Sequence, residues 1–437
     1  MRKRILVGSV FGATVTAVVL AVTVGGAFAH GTAGPTALPA SSCSAVQGTG
    51  SSLIASDLPL QGSGRSQTVQ MTKAIAYILG QAGWTAGSTT LAYQSCDDST
   101  AQAGKWDSGK ESTNANAYAN DPSVIGVIGT FNSGAAEIAI PVLNRAPNGP
   151  LAMISPANTY VGLTHTGPAT AAGEPGKYYP TGTRNYARVV AADDYQGAAD
   201  ATLAQQEGIK TLYILDDKEA YGLGVANDTK NAAKKLGIKV IGPVAWNGQA
   251  SSYEATALKI AKSGAQGVFL GGLICENGGK LIKDLRAGAP NVKILAPDGF
   301  TPISADVQQA GAADANGMTV SVAGLPVNKL PAAGQAFGKA FCASAGAGCV
   351  GGTPDPYAVY AAAATQMMLA AIAASDGTRA SVNSEVFKVS ASTVLGTIKF
   401  NANGDVTSNP VTIYKIVGGK STTLKVIVPK NTLVAAA

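Results

Sequence analysis

The chain has 437 residues, room for two or three domains. Charged residues make up 13%, about half the usual share, while hydrophobic residues reach 46% and mean hydropathy is +0.16. That combination excludes a disordered chain and leaves Ser, Thr, Asn, Gln and Gly to cover the surface. The net charge of +6 includes Arg2, Lys3 and Arg4, and the other basic residues are scattered, which argues against a nucleic-acid-binding face. The two histidines, His30 and His165, argue against a His-based metal site or a catalytic triad.

At the N-terminus, Met1-Arg2-Lys3-Arg4 precedes an uncharged run from Ile5 to Ala29 that closes with Ala27-Phe28-Ala29, the small-x-small pattern of a signal-peptidase site. The pattern predicts a cleaved signal peptide over residues 1–29; the alternative is an uncleaved membrane anchor. No second apolar run of spanning length is expected. The protein is therefore expected to be exported, to the periplasm or the outer face of the cytoplasmic membrane, and soluble or held at its N-terminus. Residues 30–50, rich in Ala, Ser, Thr, Gly and Pro, read as a flexible tether.

Five cysteines fit an oxidising compartment. Cys342 and Cys349 flank a short Gly-containing loop that brings them together, and a disulfide there is expected. Cys43, Cys96 and Cys275 share at most one further bond, and Cys43–Cys96 is the pairing expected. The alternative for Cys43 is a lipid, although Ala40-Ser41-Ser42 matches a lipobox poorly.

From residue 50 onward short apolar runs alternate with amphipathic segments, the signature of parallel sheets covered by helices. Strands are predicted over 52–56, 90–93, 124–128, 151–154, 211–215, 239–244, 267–270, 293–296 and 318–322. Helices are predicted over 66–81, 134–144, 196–207, 222–236, 253–261 and 278–286, followed by two Ala-rich helices, 332–344 and 356–374. The C-terminal part returns to β at 396–400, 411–417 and 424–428, with Asn403-Gly404 as a hairpin turn. So many parallel strands exceed one sheet, and two doubly wound α/β lobes fit better.

The sequence carries no complete catalytic motif of the common kinds. Gly419-Lys420-Ser421 lacks the first glycine of a phosphate loop, Gly62-Ser63-Gly64 lacks the third glycine of a dinucleotide fingerprint, and no G-x-S-x-G elbow occurs. The pairs Asp97-Asp98, Asp193-Asp194 and Asp216-Asp217 stand at strand-to-helix junctions and read as helix N-caps. Two other junctions are suited to a ligand. Gly129-Thr130-Phe131-Asn132-Ser133-Gly134 offers free N–H groups at a helix N-terminus, and Ser155-Pro156-Ala157-Asn158-Thr159-Tyr160 adds a hydroxyl and carbonyls.

With Asp57-Leu-Pro-Leu-Gln-Gly62, Asp217-Lys-Glu-Ala-Tyr221-Gly222 and Ala296-Pro-Asp298-Gly299-Phe300, these junctions follow an order that resembles the leucine/isoleucine/valine-binding proteins, the type I periplasmic solute receptors of ABC importers. The resemblance spans about residues 51 to 430. It implies two Rossmann-like lobes joined by three crossovers near Arg188, Ala323 and Thr407, with lobe one at 51–188 plus 324–407 and lobe two at 189–323 plus 408–437. It further implies a monomer that needs no cofactor, is not an enzyme, and delivers an amino-acid-like ligand to a membrane permease and ATPase. By the same resemblance Ser133 and Thr159, aided by the backbone after Asn132, hold the ligand carboxylate. The Ala157 carbonyl and Asp298 take the ammonium, and Tyr221 closes over it. Aromatic groups that flank the aliphatic chain in leucine-type receptors correspond to Ser63 and Leu273. A ligand-sensing receptor subunit of the same fold and a secreted α/β enzyme are the competing functions.

Overall fold

The computed structural model describes residues 34–407 and 409–434; the expected signal peptide lies outside them. The first parallel strands are the continuous apolar runs. β1 (Ser52–Leu58), β2 (Thr89–Asp97), β3 (Val124–Gly129), β4 (Ala152–Ser155) and β5 (Tyr186–Arg188) form one sheet in the order β2-β1-β3-β4-β5. β3 reads Val-Ile-Gly-Val-Ile-Gly and is buried along its whole length, as a strand covered on both faces must be. Register sets Asp57 of β1 opposite Cys96 of β2 and Gly129 of β3, so the carboxyl ends of these strands are level. α1 (Arg65–Gln81), α2 (Ser108–Asn120) and α3 (Ser133–Asn144) connect them.

After α4 (Asp193–Gln206) the chain builds a second sheet from β6 (Thr211–Asp216), β7 (Lys239–Ala245), β8 (Gly267–Gly271), β9 (Lys293–Ala296) and β10 (Thr319–Ala323), in the parallel order β7-β6-β8-β9-β10. Its helices are α5 (Ala220–Lys235), α6 (Glu254–Lys262), α7 (Gly278–Gly288) and α8 (Ile303–Ala310). The chain then returns to the first lobe with α9 (Ala332–Ala343), α10 (Pro356–Ala374) and α11 (Arg379–Val386). It ends on the second sheet as β11 (Val411–Val417) and β12 (Lys420–Ile427), both antiparallel. The sheets are thus joined by three passages of chain, and each has a switch point where ligands bind, β1/β3 in the first and β6/β8 in the second.

α10 is long and apolar enough to cross a membrane, contrary to the expectation of no further run of that length. It is instead a core helix, with thirteen residues between Tyr357 and Ile372 buried, packed on α1 and β3. Gly126 makes that packing possible, since a Cβ there would stand 2.6 Å from the Met368 sulfur. α11 is pinned by Arg379, whose guanidinium donates to the carbonyls of Val124 (2.8 Å) and Ala119 (2.7 Å).

Three sequence expectations need correction. Residues 38–50 are not a tether. Leu38 and Cys43 are buried, Gln47–Gly48 pairs antiparallel with β2, and Cys43 is bonded to Cys96. The disulfide, with the Leu38 N–H donating to the buried Gln94 side chain at 2.7 Å, fixes this stretch to the sheet edge and excludes a lipid on Cys43. The second disulfide, Cys342–Cys349, is present, leaving Cys275 free. The Asn403-Gly404 turn is not a hairpin either: Gly396–Lys399 pairs with Ser390–Thr393, and β11 pairs with β10 and β12. Gly404, at φ 92°, instead accepts a hydrogen bond from the Arg188 N–H (2.9 Å) and sets Asp405 beside Arg188. Finally, the paired aspartates cap no helix with their side chains in the expected way. Asp97 and Asp98 precede a small hairpin, Ser99–Trp106, and α2 is capped by Asp107.

Arg188 and Asp405 tie the first and third passages between the lobes. Arg188 is fully buried; its Nε donates to Asp405 Oδ1 at 2.7 Å and its Nη1 to the Tyr160 carbonyl at 2.8 Å. His165 completes the cluster, with Nδ1 3.0 Å from Asp405 and Nε2 3.4 Å from Asp194. Burial disfavours the imidazolium, but the bonds to Asp194 and Asp405 outweigh it and raise its pKa to about 9. Burial would raise Asp405, yet Arg188 and His165 hold it well below the usual carboxylate range. A raised histidine pKa stabilises the fold fully below about 6.5, and the contribution is lost as pH climbs through about 9. We expect the unfolding free energy from urea titration to be lower at pH 9.5 than at pH 6 by an amount on the order of 3 kcal/mol, and His165→Gln to flatten that difference.

Candidate functional site

The loops at the carboxyl ends of both sheets face each other, and one cavity between them is lined by Phe131, Asn132, Ser133, Ala157, Thr159, Tyr221, Leu273, Asp298, Gly299 and Tyr357. Seven of the eight residues singled out from the sequence meet there. The eighth, Ser63, lines an adjoining cavity with Lys105, Trp106 and Leu273. The residues that sequence reasoning did not assign are Phe131, Gly299 and Tyr357.

Each side chain is held by its own loop. Ser133 opens α3, and its hydroxyl accepts from the Tyr160 N–H at 3.3 Å, linking the loops after β3 and β4. Asn158 reinforces that link, donating to the Phe131 carbonyl at 2.9 Å. Ser155 Oγ accepts from the N–H groups of Ala157 (3.0 Å) and Asn158 (2.8 Å), which settles the Ala157–Thr159 turn. In the second lobe Asp217 accepts from the Glu219 N–H (3.0 Å) and the Leu273 N–H (2.8 Å), fastening two loops to one carboxylate.

Asp298 is the one formally charged side chain among these lining residues. It is buried; Tyr221 donates to one carboxylate oxygen and Tyr357 to the other, both in short contacts. Burial pushes the carboxyl up, and the two phenols pull against it. Tyr357 comes from the first lobe. Asp355 accepts from the Tyr357 N–H at 2.9 Å and Pro356 opens α10, so the Asp-Pro-Tyr order was a legible helix start that places a ring beside the ligand loops. Its ring meets Phe131 edge-on, centroids 5.6 Å apart. The site therefore has a helix N-terminus with hydroxyls at one end, a buried carboxylate at the other, and aromatic and aliphatic walls between. Such an arrangement suits a small solute with an anionic and a cationic end.

The cavity is about 30 Å³, room for no more than about two waters, so the lobes must part for a solute to enter. The rim of the closed cleft carries an ion cluster. Lys105, on the first-lobe hairpin, lies 3.0 Å from Glu219 and in short contact with Glu276, both second-lobe residues. All three are partly buried, with side-chain exposure of 26%, 19% and 11%, which places the cluster above an exposed pair and below a core one. Lys105→Met should favour the open form and speed solute release about five-fold, near 1 kcal/mol. Stopped-flow dissociation measures this, and raised salt should narrow the gap between variant and parent.

The chain matches the periplasmic binding protein family over residues 58–420. The chain belongs to that family. Among its relatives, the Leu/Ile/Val-binding protein homolog 2 of Brucella abortus is 27% identical over 309 residues, covering 69% of this chain and 74% of the relative. A leucine binding protein of Thermotoga maritima superposes with a TM-score of 0.73 at 19% identity, covering 87% of this chain and 99% of that one. An ABC transporter solute binding protein of R. palustris, in complex with benzoate, superposes with a TM-score of 0.69 at 20% identity, covering 89% and 98%. The fold is that of the type I periplasmic binding proteins, two α/β lobes with a cleft between.

Proposed function

We propose that this periplasmic binding protein is the extracytoplasmic substrate-binding protein of an ABC transporter, capturing an aliphatic α-amino acid of the branched-chain type. The observation that carries this reading is the division of the site. Ser133 and Thr159, at the α3 end, belong to the first lobe, while Asp298 and Tyr221 belong to the second. A zwitterion satisfies both ends only when the lobes close on it, and closure is the signal an importer reads. Leu273 and Phe131 supply an apolar wall for a short aliphatic chain. Capture rather than turnover fits the lining residues, which include no imidazole or thiol.

The R. palustris relative's complex with benzoate, together with the edge-on Phe131 and Tyr357 rings, makes an aromatic carboxylate the second reading. Against it stands Asp298, since a benzoate brings no cation to the buried carboxylate and leaves like charges in one low-dielectric cleft. Export across the membrane by the N-terminal segment and delivery, as a monomer, to a permease and its ATPase complete the proposal. Isothermal titration of leucine, isoleucine, valine, benzoate and 4-hydroxybenzoate tests it. The expected result is one site per chain for the amino acids and no heat from the aromatic acids; the reverse order would replace this reading with the second.

A further inference from the structure

Outside the residues that line the cleft, between the first sheet and α2, three carboxylates converge. Asp57 is the penultimate residue of β1, Asp98 follows β2, and Glu111 lies in the first turn of α2; one oxygen of each lies within 4.8 Å of the others. Exposure is 1% for Asp57 and nil for Asp98 and Glu111. Three ionised carboxylates in such a place repel one another and have lost their water. The Asn114 amide donates to Asp57 Oδ1 at 3.0 Å but leaves five carboxylate oxygens without a partner: Asp57 Oδ2, both of Asp98 and both of Glu111. A second, independent group points the same way. Tyr118, two turns along α2 from Glu111 and on the same face, is buried, and its hydroxyl faces Asp57 and has no partner outside the cluster. The nearby Lys110 ammonium does not fill the gap, because it is bonded to the Ser99 carbonyl at 3.0 Å and lies 3.6 Å from Asp97.

We propose that Asp57, Asp98, Glu111 and Tyr118 bind a divalent cation of the calcium type. Three carboxylate oxygens within 4.8 Å of one another fit calcium, whose bonds to oxygen run about 2.3–2.6 Å, so that ligand atoms on opposite sides stand about 4.6–5.2 Å apart, and the other cluster oxygens can add to the six to eight that the ion takes. An all-oxygen donor set without nitrogen or sulfur selects a hard ion. The alternative to the cation is protons: burial and mutual repulsion raise the acids Asp98 and Glu111 well above their ordinary range, so without a metal the cluster must hold protons instead.

The test uses the full chain, stripped with a chelator and titrated with calcium chloride while heat and the melting midpoint are followed. One equivalent should bind and raise the midpoint. Asp98→Asn and Glu111→Gln should abolish both responses while melting no lower than the stripped parent, because each removes a like charge. Should either variant fail to fold, terbium luminescence excited through tyrosine on the parent chain, quenched by calcium at one equivalent, supports the site equally. A parent chain that melts alike in chelator and calcium and takes up no saturating equivalent overturns the proposal in favour of a protonated cluster. Calcium responses that persist undiminished in both folded variants overturn it in favour of a site elsewhere.

Discussion

Asp298→Asn is expected to weaken binding of a branched-chain amino acid by about 2–5 kcal/mol, the usual loss when one partner of a buried charge pair is removed. On the affinity scale this is roughly 30-fold to several thousand-fold. The size follows from isolation: Asp298 is the lone charge on the lining, it is buried, and the groups that touch its carboxylate are phenols, which do not neutralise a ligand ammonium. The turn that carries it should survive, since Thr301 Oγ1 donates to the Asp298 backbone carbonyl and not to the side chain. Calorimetry should therefore find a folded protein that has lost affinity. A variant that keeps its affinity but melts earlier would assign Asp298 to the turn and remove it from the binding site.

Arg188→Met should cost about 3–5 kcal/mol of stability, the penalty for stranding a buried ion. Asp405 would keep His165 but lose the guanidinium at 2.7 Å, and the Tyr160 carbonyl would lose its donor. Because these bonds join two of the three passages between the lobes, the loss should fall on the joint and not on either sheet alone. Converting both partners, Arg188→Met with Asp405→Leu, should recover much of the loss, since a hydrophobic pair needs no compensation. Urea unfolding of the parent, the two single variants and the double variant measures the coupling; additive losses would show that the pair does not act as a unit.

The parts of the fold written as long apolar runs were legible in the sequence. β3 and β6 through β9 fall within a residue or two of their expected positions; for all but the edge strand β7, burial on both faces leaves little choice of composition. Short or polar elements were not. β5 spans three residues and is fixed by Arg188 and by the Gly404 carbonyl, a partner more than two hundred residues away. α2 reads Ser-Gly-Lys-Glu-Ser-Thr-Asn with no apolar stripe, and its buried face is the carboxylate and phenol cluster. Residues 38–50 looked like a tether because Ser, Thr and Ala say nothing of a cysteine's partner; the Cys43–Cys96 bond makes them part of the sheet. In the site, loops adjacent to strand ends were readable from the junction motifs; the helix start at Asp355-Pro356 was readable too, but that it brings Tyr357 to those loops follows from tertiary packing.

The most direct test of capture between the lobes is mass spectrometry of the solute released when the protein, purified without added ligand, is denatured. The expected solute is an α-amino acid with a short aliphatic side chain, at no more than one per chain and absent from Asp298→Asn prepared in the same way. An aromatic acid without an amino group, retained equally by the parent and by Asp298→Asn, would contradict that expectation.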